Sequence, residues 1–94
     1  MPDTQQQIKA LTNAMQKVLL EKNRRYGDSA MNPLGVFSKL SAQDSIRIRL
    51  DDKLKRVQNT ANPRTNDVCD IIGYCFLLLI SIGATEQEIL ALID

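Results

Sequence analysis

Two acids one helical turn apart, Asp67 and Asp70, begin a series that continues through Tyr74 to Ser81. On a helix these positions fall on one side, so the four residues form a polar stripe along an otherwise apolar rod. Paired carboxylates at that spacing are how a helix shares a hard cation such as Mg²⁺. The plainer alternative makes Asp67 an N-terminal acid favoured by the helix dipole and gives Asp70 an arginine partner. A second charged run, 47-RIRLDDKLKR-56, places Arg49, Asp52, Lys53 and Arg56 on one helix face and Leu50, Leu54 and Val57 on another. Taken alone, such a face is solvated charge with weak pairs. Set beside Lys22 and Arg25, it becomes a ring of cations around Asp52 and Asp70, a mixture suited to phosphate groups with or without a bridging metal. Tyr26 follows the first charged helix end with Gly27 beside it, where its ring could stack on a planar ligand or cap the edge of the bundle.

Other chemistries are closed by composition. The 94 residues contain no histidine, which removes histidine bases, triads and metal ligands. No glycine-rich phosphate loop, cysteine metal cluster or nucleophile motif is present. Twelve Lys and Arg against eleven Asp and Glu leave a net charge of +1, too little to hold duplex nucleic acid or an anionic membrane by bulk electrostatics. The spacing of Cys69 and Cys75 on one helix forbids a disulfide between them, and they read as buried thiols of a reducing compartment. The opening residues MPDTQQQIKAL lack a signal peptide's basic start and apolar run, and the apolar stretch 71-IIGYCFLLLISI-82 is shorter than the roughly 20 residues of a membrane span. A cytoplasmic protein is the expectation.

The elements that must position these side chains are helices. Ile8, Leu11, Met15, Val18 and Leu19 recur at helical spacing in a first helix from Thr4 to about Arg25, ending at Gly27 in a left-handed cap. Ser41-Ala-Gln-Asp44 looks like a capping box with Asp in place of Glu, opening a second helix through Gln58 that carries Ile46, Leu50, Leu54 and Val57. After the turn-rich 59-NTANPRTN-66, with Thr65 or Asn66 as cap, a third helix runs from Asp67 to about Ile82 and stops at Gly83. The box 85-TEQE-88 announces a short fourth. The fold class is therefore all-α, one domain over 1–94, a small bundle of three main helices plus a short C-terminal one. Helix three is apolar nearly all round, more than a small bundle covers, which predicts a homo-oligomer through that helix. The connection between helices one and two, about 15 residues with Asn32-Pro33 as a turn and Phe37 and Leu40 as anchors, is longer than a helical hairpin needs and reads as the lid or wall of a site.

Glu21-Lys22-Asn23 with Tyr26-Gly27, then Arg49-x-x-Asp52-Lys53-x-x-Arg56, then Asn66-Asp67-x-x-Asp70 entering Ile-Ile-Gly-Tyr, resemble the small helical domain of phages and bacteria called nucleotide-modification-associated. That domain is similar in turn to MazG-type all-α nucleoside triphosphate pyrophosphatases, which hold Mg²⁺ with acids from two helices. The resemblance spans roughly residues 8–82. It implies a phage-type nucleotide-binding protein with Lys22, Arg25, Tyr26, Arg49, Asp52, Lys53, Arg56, Asp70 and Tyr74 around the ligand. One version sequesters a nucleotide or nucleotide-derived signal, for example one of a host defence pathway. Another is a Mg²⁺-dependent pyrophosphohydrolase with the metal on Asp52, Asp67 and Asp70. In that version the family's third acid falls at Lys55, a base where the metal needs a carboxylate. A structural helical adaptor without ligand is the third reading.

Overall fold

The computed structural model describes residues 2–32, 35 and 40–93. They form four helices: α1 (Thr4–Arg25), α2 (Ala42–Gln58), α3 (Thr65–Ser81) and α4 (Glu86–Leu90), with no strand among the described residues. The chain is all-α, as the apolar spacing requires. None of its described helices is long and apolar enough to cross a membrane. Pro33 and Phe37 lie outside the described residues, while Leu40 is 43 % exposed.

Local sequence accounts for most of the boundaries. Asp3 and Gln6 exchange hydrogen bonds in a capping box at the start of α1. Ser41 Oγ accepts from the Asp44 amide to open α2. Thr85 and Glu88 complete the box that opens α4. Both α1 and α3 end in the same motif: Gly27 and Gly83 take positive φ, and the next residue's N–H, from Asp28 or Ala84, reaches back to the carbonyl of Asn23 or Leu79. The start of α3 departs from expectation. It begins at Thr65 with Arg64 in the capping position, and no side chain caps it. Neither Thr65 nor Asn66 caps the helix, because both are already inside its first turn.

Packing is uneven. Helices α2 and α3 form the close pair, α1 meets α3 over a short stretch, and α4 packs on no other helix. Inside the α2–α3 hairpin lie Ile46, which is fully buried, and the half-covered Leu50, Lys53 and Val57 one or two turns further on. Here the sequence reading needs correcting: Leu54 is 52 % exposed, whereas the Lys53 side chain, assigned to the charged outer face, is 17 % exposed and points into the hairpin. Aliphatic type favoured Leu54, but the inward row runs 46, 50, 53, 57, and α3 presents carboxylates opposite position 53. The chain measures 50 × 37 × 27 Å with a radius of gyration of 15.1 Å, against about 12 Å for a compact domain of this length.

Candidate functional site

At the centre of the charged residues is Asp70. Its Oδ2 accepts from Lys53 Nζ of α2 at 2.9 Å and its Oδ1 from Lys22 Nζ of α1 at 3.3 Å, so one carboxylate on α3 ties all three long helices together. Burial pushes this carboxyl's pKa upward, but the two ammonium groups outweigh it and hold the group below its ordinary value. One turn earlier Asp67 is buried, with 8 % of its side chain exposed. It accepts from Arg64 Nε at 3.2 Å through Oδ2 and lies 3.9 Å from Lys53 Nζ through Oδ1. That Oδ1 has no hydrogen-bond donor among the described residues, so the Lys53 ammonium answers it by charge alone.

Asp67 is the first-turn acid of α3, as the dipole reading has it, but it is buried, bonded to Arg64 at its own helix start and faced by the Lys53 ammonium of α2. Asp70 is paired with two lysines rather than an arginine. Asp52, the third acid of the metal reading, is exposed on the other side of α2. No group of three acidic or cysteine side chains is placed to share a metal among the described residues. As arranged, the carboxylates do not fit a Mg²⁺ ion, because an ammonium already stands between the two that converge.

Between α1, the chain that follows it and α3 lies a cleft of about 930 Å³. Helices α1 and α3 run antiparallel here, Lys22 opposite Asp70 and Leu19 opposite Gly73. A Cβ on Gly73 would sit 2.9 Å from Leu19 Cδ2, so the missing side chain lets the helices approach at this point. Lys22, Tyr26, Arg49, Asp70 and Tyr74 from the predicted set line the polar end of the cleft, and Met15, Val18, Phe76, Leu77 and Ile80 line the apolar end. Lys53 stands behind Asp70. Arg25 does not join them. It turns to Glu21 on the outer side of α1 at 2.9 Å and, with Arg24, keeps that carboxyl's pKa low. Arg56 is exposed on α2 and is not among the lining residues.

One wall residue escaped the sequence reading. Asp28 takes positive φ directly after Gly27, and its two carboxylate oxygens accept from Asn23 Nδ2 at 2.9 Å and Asn32 Nδ2 at 2.8 Å. Asp tolerates this conformation better than most residues. With Ser29, Ala30 and Met31 it forms one wall of the cleft. Two neutral amides fix the carboxylate without neutralising it, so the polar end has an anionic side as well as the cationic side made by Lys22 and Arg49. Cys69 faces the cleft partly covered and Cys75 is exposed; both are free thiols, and neither is buried as expected.

Fold and site together define an all-helical protein with a charged cleft whose floor is a lysine–aspartate network. No family model, curated protein or solved structure matches the chain.

Proposed function

We propose that the cleft binds a nucleotide or nucleotide-derived small molecule and holds it intact, in a cytoplasmic, phage-type homo-oligomeric protein. The observation that carries the reading is the state of Lys22. It lies on the cleft wall, nearly half exposed, and its bond to Asp70 is the longer of that carboxylate's two at 3.3 Å. Exposed pairs of this kind contribute only about 0–1 kcal/mol. Lys22 can therefore turn to a phosphate at little cost while Lys53 keeps Asp70 neutralised.

The remaining lining residues fit the rest of such a ligand. Arg49 supplies a second, fork-shaped donor set for phosphate oxygens. Tyr26, 66 % exposed, and Tyr74 offer ring faces to a base. Asp28 repels phosphate and accepts from hydroxyl or amino groups, which orients the ligand with its sugar or base edge toward residues 28–31. The volume lies within the ~300–1,000 Å³ usual for small-molecule sites. Lys53, which stands between Asp67 and Asp70 where a bridging metal would sit, supports binding without hydrolysis.

Calorimetry against linear and cyclic nucleotides, with and without Mg²⁺, tests the reading. Binding should persist in chelator and weaken with salt, and the ligand should be recovered unchanged. Lys22→Ala should weaken binding about 10- to 100-fold, the usual loss for a hydrogen bond to a charged group, and Tyr26→Ala about tenfold from lost stacking. Mg²⁺-dependent release of pyrophosphate would return the acids to the hydrolase reading. Absence of any nucleotide binding would leave the adaptor reading.

A further inference from the structure

Among the described residues, the segment after α3 carries the most exposed large apolar side chains. Residues 89–93 read Ile-Leu-Ala-Leu-Ile, and Leu92 and Ile93 are 79 % and 80 % exposed. Helix α4 is well formed, opened by its capping box and set off from α3 by the Gly83 turn, yet it touches no other helix. On α3, Ile71, Ile72, Cys75, Phe76 and Leu79 surround an open apolar dimple of about 190 Å³ that the chain's own helices leave uncovered. No charged residue occurs from Ile71 to Thr85. The chain thus carries both an apolar knob and an apolar socket, separated in sequence by the Gly83 turn and the two acids Glu86 and Glu88 that open α4.

Surface area says how much must be covered. A folded monomer of 10.6 kDa exposes about 5,500 Å² by the usual scaling, whereas this chain exposes 7802 Å². The excess, about 2,300 Å² and shared with the open cleft and the lightly held α1, leaves room for the roughly 1,000–2,500 Å² that each subunit of an obligate homodimer buries.

We infer that the arm 89–93 is exchanged between copies, each arm lying in the α3 socket of a second copy of this chain. A two-fold axis near the C-terminal ends of the two α3 helices makes the exchange reciprocal and buries Ile80 and Ile82, exposed in one chain, at the seam. The inference deepens the homo-oligomer reading above, and its seam adjoins the apolar end of the cleft, since Phe76 lines both cleft and socket and Ile80 lines the cleft.

Native Cys75, exposed in the socket, provides the test. In the full chain carrying Cys69→Ser and Leu92→Cys, mild oxidation should give a covalent dimer on a non-reducing gel, with mass spectrometry linking position 75 of one copy to position 92 of the other. Adding Cys75→Ser should abolish that link. In sedimentation, wild-type protein should exceed the 10.6 kDa of one chain, and Leu92→Glu, with helicity checked by circular dichroism, should lower the mass. A link within one chain, or a link only between the two Cys75 residues, overturns the exchange while the oligomer stands. Wild-type protein sedimenting as a single chain overturns both.

Discussion

The α2–α3 hairpin and helix α1 differ in how they are held. The hairpin encloses the buried Ile46 and brings two poorly exposed carboxylates onto one ammonium. Helix α1 is longer and well capped, but no residue of its apolar stripe is buried: Met15 and Leu19 are half-buried, while Ile8, Leu11 and Val18 are exposed. It joins the rest at Leu19–Gly73 and Lys22–Asp70. The hairpin is thus a packed base, and α1 is a well-formed helix with a small attachment. Part of the cleft's cation set stands on each.

That contrast can be broken most directly at the core. Ile46→Ala should cost roughly 2–5 kcal/mol, the usual range for such a truncation, read as a fall in the unfolding midpoint; Leu19→Ala should cost clearly less. Equal losses would make α1 as integral as the hairpin. Next in size is Lys53→Met, which leaves Asp67 and Asp70 without their shared cation. Breaking a buried pair costs about 3–5 kcal/mol, and this site belongs at the lower end because it is not fully dry.

Asp70 also gives the hairpin an acid signature. Its folded pKa lies below the ordinary 3.8, so its contribution is complete above the ordinary carboxylate range and is lost as pH falls through that range and past the lowered value. Denaturant titrations should show stability falling with pH there, with a shallower fall in Asp70→Asn. A slope unchanged by the substitution would remove Asp70 from the account. Gly73→Ala should change global stability by no more than about 1 kcal/mol, because a better helix former is set against a contact with the movable tip of Leu19. Hydrogen exchange should nonetheless quicken in α1 and not in α2. Least of all, Glu21→Gln should leave the unfolding midpoint essentially where it is, since its arginine partners are exposed.

Much of this was legible in the sequence where one residue type has one local use. Ser41, Thr85, Gly27 and Gly83 act within a few residues of themselves, and the helix ends they mark are where expected. The start of α3 was misplaced because Arg64 caps it without a capping side chain. Lys53 was assigned outward because a lysine is normally solvated. Its inward placement depends on Asp67 and Asp70, more than ten residues away in another helix, which no local rule weighs. Asp28 carries no motif, since glycine before it already explains the turn. Of the predicted ligand residues, Lys22, Tyr26, Arg49, Asp70 and Tyr74 share the cleft, whereas Arg25, Asp52 and Arg56 do not, as helical phase alone does not say which cation turns to a neighbour on its own helix.

The close approach of Leu19 to Gly73 has a mechanical consequence. It divides α1 unequally: about 22 Å of helix lies before it and about 9 Å after it, at 1.5 Å per residue. Lys22 lies on the short side, with Asn23, which fastens Asp28 and through it the cleft wall. Helix α1 is therefore a first-class lever with its fulcrum at a glycine. A swing of its amino end about this point reaches Lys22 and Asn23 at the polar end reduced by a factor of roughly two to three in distance, whereas Met15 and Val18, on the long side, move the apolar end of the same cleft directly.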